Sequence, residues 1–157
     1  MVVFQRQDAR VPTSASANRL QFLTRNDWSL LRSKAQHLTF KLGDVIIQEA
    51  SLGDAIYVIR KGSASVEVAQ GKSNFKIADL GPDDVCGEMA FLERGRTSAM
   101  VIATDEFVEV DALRASDLLQ LFEAFPGLGF RFYRSLAVVL ARRLRETSRE
   151  LSRRDSK

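Results

Sequence analysis

The residues best suited to chemistry lie close together in the segment between Cys86 and Ala103, CGEMAFLERGRTSAMVIA. Gly87 has no side chain, so the backbone there can come close to a ligand. Glu88 supplies a carboxylate that accepts hydrogen bonds from sugar hydroxyls. Residues 89–91 suit the start of a short helix, whose first backbone amides attract an anion such as phosphate.

Three polar residues follow that short helix and complete the candidate set. A guanidinium pairs with phosphate through two parallel hydrogen bonds, and hydroxyl groups can donate to it as well. Instead of binding a ligand, Arg96 could be a solvated arginine of the turn. Ser98 could be a strand residue that faces a neighbouring strand. The candidate ligand-binding residues are therefore Gly87, Glu88, Met89, Ala90, Phe91, Arg96, Thr97 and Ser98. Together they suit a cyclised sugar-phosphate.

The sequence offers little for catalysis or for a metal. His37 is the one histidine and Cys86 the one cysteine, whereas metal sites and nucleophilic triads need well-partnered histidines or thiolates. Cys86 has no basic neighbour in sequence, which predicts a buried, inert thiol. Walker loops, GxSxG elbows and CxxC pairs are missing from the sequence. We expect no enzymatic activity, no metal and no cofactor.

Composition and charge further narrow the class of protein to which the chain can belong. A chain of 157 residues with 45% apolar content predicts one domain with a proper core. The sequence has no apolar run near the ~18 residues of a membrane span and no signal-peptide core, and its single cysteine fits a reducing cytoplasm. The net charge is +3, yet seven basic and three acidic residues fall between Arg142 and Lys157. The body is therefore about neutral, and we expect no DNA binding beyond nonspecific contact through this tail.

The periodicity predicts the elements that must position these residues. Residues 1–18 read as a flexible lead-in, and Thr24 with Asp27 predicts a helix cap for a helix ending near His37. Short alternating segments separated by turns then predict an all-β region over about 38–111. Helices are predicted at 114–125, ended by Pro126, and at about 129–153. The predicted strands cover 38–42, 45–47, 56–59, 63–69, 75–80 and 97–104, with 101–110 supplying the last strands and 70–74 a hairpin loop.

The segment after Cys86 resembles the phosphate-binding cassette of the cyclic nucleotide-binding domain family. The family reads Phe-Gly-Glu-Leu/Met-Ala-Leu, then a turn, then Arg-Ser/Thr-Ala-x-Val-x-Ala. Here Gly87 to Phe91 match the first half, and Ser98, Ala99, Val101 and Ala103 match the second. The family's phosphate-pairing arginine falls on Thr97, and the nearest arginine, Arg96, lies one place earlier. The cassette is therefore partly degenerate.

An earlier segment resembles the first signature of the same family, roughly Ile-x-x-Glu-Gly-Asp-x-Gly-Asp-x-Leu-Tyr-x-Ile-x-x-Gly. Ile47, Gly53, Tyr57 and Gly62 agree with it, while residues 50–51, Ala-Ser, replace the usual Gly-Asp. The resemblance implies a cAMP receptor protein-like, jelly-roll-like antiparallel β-roll with an N-terminal helix and two C-terminal helices. It implies one domain over 19–157, preceded by the lead-in, without the further DNA-binding module that some relatives carry.

The resemblance leaves two functions open. The first is a regulatory sensor domain that binds cAMP or cGMP in the roll and signals through the last helix. The second is a degenerate relative that binds no nucleotide and serves as a protein-interaction or dimerisation module. Phe130, Tyr133, Ala137, Leu140, Leu144 and Leu151 follow a coiled-coil spacing in that helix. They predict a homodimer seam, whereas the alternative is a helix packed only on its own roll.

Overall fold

The computed structural model describes residues 19–156, which contain eight strands and four helices. The predicted flexible segment 1–18 lies outside the described residues. The elements in chain order are α1 (Arg25–Lys34), β1 (Gln36–Lys41), β2 (Val45–Ile47), β3 (Ala55–Lys61), β4 (Ala64–Gln70), β5 (Ser73–Leu80), β6 (Val85–Cys86), α2 (Glu88–Glu93), β7 (Met100–Ala103), β8 (Phe107–Arg114), α3 (Ala115–Ala124) and α4 (Pro126–Asp155).

The strands form two antiparallel sheets that face each other as a β-roll, as the sequence predicts. One sheet has the order β1-β8-β3-β6 and the other has the order β2-β7-β4-β5. Apolar side chains from both sheets fill the space between them, among them Ile47, Ile59, Val101 and Val110. Alternating strands bury one face in this way because successive side chains point to opposite sides.

The helices cover one end of the roll through a second apolar cluster. Leu31 of α1, Leu118 of α3 and Phe132 and Leu136 of α4 are all buried there against Ile56. This packing fixes the first half of α4 against the roll. The second half continues past the buried Val139 along the rim of the second sheet.

The N-terminal helix is capped as predicted and is also tied to α4. The Thr24 hydroxyl accepts a hydrogen bond from the Asp27 amide at 3.1 Å, and the Asp27 carboxylate accepts one from the Thr24 amide at 3.0 Å. The same carboxylate accepts hydrogen bonds from Nε and Nη2 of Arg131, at 2.6 and 2.8 Å. The hydrogen bonds from Arg131 hold the pKa of Asp27 down at about 2, against the cost of burial.

Several predicted boundaries are wrong by a few residues. The first helix ends at Lys34 instead of near His37, because His37 pairs with Asp111 of β8 as part of β1. The predicted loop 70–74 is mostly strand, because β4 ends at Gln70 and pairs directly with Ser73 of β5, which leaves residues 71–72 as the turn. The strand predicted from Thr97 begins at Met100, and the strand β6 went unpredicted. The last helix starts at Pro126, where proline suits a first helical position, and not near 129.

Candidate ligand site

A cavity of about 510 Å³ opens between the second sheet, α2 and the second half of α4. Its inner end is formed by the β6–α2 junction, its sides by strands of the second sheet, and its cover by one face of α4. Its lining residues are Ile47, Val66, Lys76, Ile77, Ala78, Asp79, Cys86, Gly87, Glu88, Met89, Ala90, Thr97, Ser98, Ala99, Val101, Arg143, Glu146, Thr147 and Glu150. The size and mixed lining suit a small polar ligand with an apolar part.

Two glycines allow α2 to sit at the inner end of the cavity. Gly87 has a φ of +83°, and a Cβ atom there would lie 3.0 Å from the Ala55 carbonyl oxygen. A Cβ atom on Gly53 would lie 2.1 Å from the Cβ of Ala90. Both positions require glycine, because any side chain would push α2 away from the roll.

Glu88 is the first residue of α2 and is almost fully buried, with 2% of its surface exposed. The Arg143 guanidinium donates to its Oε1, and Nη2 of Arg143 donates to the Val85 carbonyl oxygen at 3.4 Å. A buried carboxylate without a partner would be costly, so this ion pair stabilises the charge of Glu88. It also joins the inner end of the cavity to its helical cover.

Cys86 lines the cavity next to Glu88 and has a buried thiol. Burial raises the pKa of that thiol far above its usual range, and the negative charge of Glu88 adds to the effect. A thiol held protonated is a poor nucleophile, which agrees with the inert role predicted for it.

Thr97 lines the cavity, but its hydroxyl forms hydrogen bonds with the loop between β2 and β3. Its Oγ1 donates to the Gln48 carbonyl oxygen at 2.5 Å and accepts from the Ser51 amide at 3.0 Å. The Thr97 amide and carbonyl also pair with residues 50–51 of that loop. The side chain at this position therefore anchors the loop beside the cavity.

Arg96 points away from the cavity. Its Nη1 donates to the Ala50 carbonyl oxygen at 2.9 Å, and the residue is exposed and does not line the cavity. The slip of one residue relative to the family pattern thus places this guanidinium on the outer side of the turn. Ser98 does line the cavity, with its hydroxyl 4.0 Å from the Met89 sulfur.

Six of the eight predicted site residues line the cavity, and two do not. Phe91 is buried in the helical core, with its ring 6.3 Å from that of Phe132. The Phe91 amide donates to the Gly87 carbonyl oxygen at 3.3 Å, so it already has a partner. Together with Arg96, it lies outside the assembled site. The ligand role of the other six stays a prediction.

The pattern of the cyclic nucleotide-binding domain family matches residues 37–125 of the chain. The chain belongs to this family. The matched range contains the whole β-roll from His37 onward, α2 and α3. The family is a regulatory binding domain that is generally not catalytic, which agrees with the lack of catalytic motifs.

Curated relatives and a solved structure agree with this assignment. The chain is 34% identical over 147 residues to Cyclic GMP-binding protein C of Dictyostelium discoideum, covering 88% of the chain and 6% of that protein. It is 33% identical to the Cyclic AMP receptor protein of Thermus thermophilus, covering 78% of the chain and 55% of that protein. The crystal structure of the Thermus thermophilus catabolite activator protein superposes with a TM-score of 0.71 at 32% identity, covering 83% of the chain and 59% of that structure. The chain thus spans a little more than half the length of the Thermus thermophilus proteins and 6% of the length of the Dictyostelium discoideum protein.

Three residues of α4 that line the cavity were not among the predicted site residues of this cyclic nucleotide-binding domain. Arg143, Glu146 and Glu150 reach the cavity from α4, where the sequence predicts a basic tail and an apolar seam. The available signal was the face of α4 that carries the buried Leu136 and Val139. Steps of three and four residues along that face lead directly to these three side chains.

Two other arginines of α4, Arg131 and Arg134, lie away from the cavity. Arg131 is held by Asp27 of α1. The Arg134 guanidinium lies 4.0 Å from the centre of the Phe22 ring, a cation–π contact outside the cavity. These contacts fasten α4 to the N-terminal part of the domain.

The one histidine of the sequence lies away from the cavity and belongs to a charged cluster on the first sheet. His37 pairs through Nδ1 with the buried Asp111, which also faces Nε of Arg60 at 3.5 Å. The described residues contain no cluster of three or more potential metal ligands. Within the same range, no helix combines the length and apolar character needed to cross a membrane. The cytoplasmic location expected from the sequence stays a prediction.

Proposed function

We propose that this cyclic nucleotide-binding domain is a sensor that binds cAMP or cGMP in the cavity beneath α4. The observation that carries the proposal is the position of Glu88, buried at the inner end of a cavity of about 510 Å³ and bound directly to the helix that covers it. The names of the relatives from Dictyostelium and Thermus, which refer to cyclic GMP and cyclic AMP, support the ligand class.

In this proposal Glu88 accepts a hydrogen bond from the ribose 2′-hydroxyl, as the family resemblance implies. The backbone at Gly87 and the Ser98 hydroxyl face the cyclic phosphate, and the base lies toward α4. A ligand hydroxyl at Glu88 would compete with Arg143 for the same carboxylate. Ligand binding would therefore shift the position of α4 among states that already exist, and α4 would carry the signal.

The test is isothermal titration of the wild-type chain and of Glu88→Gln with cAMP and cGMP and with their 2′-deoxy analogues. Loss of the hydrogen bond between a hydroxyl and a charged group lowers affinity by roughly 10- to 100-fold. The 2′-deoxy analogues should bind the wild-type chain more weakly by that factor, and Glu88→Gln should remove most of this difference.

A matched control for this test is Glu93→Gln. Glu93 is the last residue of α2, is exposed and does not line the cavity, so its loss of charge should leave affinity unchanged. A wild-type chain that binds the ribose and 2′-deoxy nucleotides equally well would contradict the role of Glu88. A chain that binds neither would contradict the sensor function.

A second candidate function is a domain that binds no nucleotide and acts through protein contacts. The observation that favours it is the Thr97 hydroxyl, which holds the β2–β3 loop at the position where the family carries its phosphate-pairing arginine. The discriminating variant is Thr97→Arg. Binding that appears only in this variant would support a lost ancestral site, whereas binding by the wild-type chain would exclude this candidate.

We also propose that two copies of the domain pair through α4. Its outer face presents apolar side chains at the spacing of a coiled-coil seam, with Phe130, Leu144 and Leu151 all more than half exposed. Tyr133 belongs to the same stripe and is partly covered by the Phe122 ring, 5.3 Å away. A stripe of this kind is self-complementary, so a second copy of α4 fits it best.

A further inference from the structure

The proposed function requires the cavity to accept an anion, yet its lining is acidic. Four carboxylates face the cavity, from Asp79, Glu88, Glu146 and Glu150. Among the described residues, 19–156, two cations, Lys76 and Arg143, line it in return. A ligand phosphate would add a further negative charge, which is unfavourable in a partly enclosed site unless a cation lies beside it.

Two of the nearby cations are poorly placed to pair with a ligand phosphate. Arg96 is bound to the Ala50 carbonyl oxygen and does not line the cavity. Lys76 lies on the edge strand β5 and pairs with Asp79 at 3.2 Å, where both side chains are more than half exposed. Water screens that exposed pair strongly, so it offers little stabilisation to a charge deeper in the cavity.

Arg143 is the cation at the inner end. It lies against Glu88 and the Val85 carbonyl oxygen, next to the residues that the family resemblance assigns to ribose and phosphate. Its side chain remains one-third exposed, so the guanidinium has room to turn toward the cavity. A guanidinium binds phosphate with two parallel hydrogen bonds and is only weakly hydrated, which suits such an exchange.

We propose that Arg143 supplies the phosphate-binding guanidinium of this domain, from the covering helix instead of from the cassette. This inference rests on the proposed function. In the ligand-free state Arg143 neutralises Glu88. When a cyclic nucleotide enters, the ribose hydroxyl takes over the hydrogen bond to Glu88, and Arg143 turns to the phosphate. The exchange keeps every buried charge partnered and makes contact with α4 a condition of tight binding.

The test compares Arg143→Gln with the wild-type chain by isothermal titration, using cAMP and cGMP and neutral analogues in which the cyclic phosphate is methylated. The wild-type chain should bind the anionic ligand more tightly than the neutral one by roughly 10- to 100-fold. Arg143→Gln should lose most of this ratio, and Arg143→Lys should restore part of it. The ratio isolates the phosphate contact, because a loosened α4 would weaken both ligands equally.

Arg145→Gln is the matched control, since Arg145 is exposed on the same helix and does not line the cavity. It should leave the ratio unchanged. If the wild-type chain binds but Arg143→Gln keeps the ratio, or binds the anionic ligand more tightly, the role of Arg143 is overturned and the sensor function stands. If the wild-type chain binds none of these ligands, both proposals are overturned.

Discussion

The Glu88 carboxylate is bound to the Arg143 guanidinium, across 55 residues of sequence. Glu88 begins α2 within the roll, and Arg143 lies in the second half of α4. Beyond the buried Val139, this pair attaches the covering helix to the inner end of the cavity. The inner end of the cavity and the helix that covers it are therefore in direct contact.

A first prediction concerns the β2–β3 loop beside the cavity. Ala50 has a φ of +58°, a left-handed conformation that costs residues with a side chain about 1 kcal/mol or more. The family pattern has glycine here. We expect Ala50→Gly to raise the free energy of unfolding by about 0.5–1 kcal/mol, since the exposed methyl group makes no core contact.

Urea unfolding followed by circular dichroism measures this change. Ala69→Gly serves as the control, because Ala69 is an exposed strand residue without a positive φ. That substitution should destabilise the domain by up to about 1 kcal/mol. Destabilisation by Ala50→Gly of the same size would contradict the strain assigned to Ala50.

The sequence predicts the roll well because its strands alternate and its turns carry glycine, proline and aspartate. It fails for β6, where two residues, Val85 and Cys86, are too short to show a period. It also extends the first helix too far, since the pairing of His37 with Asp111 depends on a strand 74 residues away. Boundaries of this kind are set by tertiary contacts that local patterns do not contain.

The candidate site divides in the same way. Gly87 and Glu88 can be identified from the sequence because they belong to one continuous motif, the first half of the phosphate-binding cassette. Arg143 lies 55 residues from Glu88 in the sequence, so its place at the cavity follows from the periodicity of α4 together with the fold, and not from a local motif. Arg96 shows the converse, since its nearness in sequence to the family arginine position does not bring it into the site.

A second prediction concerns pH and Asp84, a fully buried residue of the turn before β6. Its Oδ2 accepts from the Gly81 amide at 2.7 Å, while Oδ1 has no hydrogen-bond partner among the described residues. Burial raises the pKa of Asp84 to about 6, although the Gly81 hydrogen bond and the charges of Arg19 and Arg143 oppose it. The folded state therefore holds this proton more tightly than the unfolded state does.

The contribution of Asp84 to stability should be most favourable below about pH 4 and should be lost as pH rises to about 6. We expect Asp84→Asn to gain stability relative to the wild-type chain across this range, by up to roughly 2–3 kcal/mol at pH 7. Chemical unfolding at pH 4, 5, 6 and 7 measures the difference. Curves for the two chains that stay parallel over this range would contradict the raised pKa.

A third prediction concerns the proposed pairing through α4. Leu144 is 69% exposed in the apolar stripe, so Leu144→Glu would place charge in the interface. We expect the wild-type chain to sediment as a dimer and Leu144→Glu as a folded monomer, measured by analytical ultracentrifugation. Leu119→Glu is the control, because Leu119 is an exposed leucine of α3 outside the stripe. A monomeric wild-type chain would contradict the pairing.

A fourth prediction concerns the choice of base. Glu146 and Glu150 face the cavity from α4, and carboxylates only accept hydrogen bonds. Guanine offers two adjacent donors, N1–H and the C2 amino group, whereas adenine offers its C6 amino group beside an acceptor nitrogen. We expect cGMP to bind more tightly than cAMP, and Glu146→Gln with Glu150→Gln to reduce the ratio of the two dissociation constants. A preference for cAMP would contradict this account of the cover.

The most direct test of the central claim is thermal unfolding of the wild-type chain with and without millimolar cAMP and cGMP. A ligand at about 100 times its Kd adds roughly 2.7 kcal/mol, which raises the Tm of a domain of this size by about 5–10 °C. We expect a rise of that size with at least one cyclic nucleotide and none with the 5′-monophosphates as controls. An unchanged Tm with both cyclic nucleotides would contradict it.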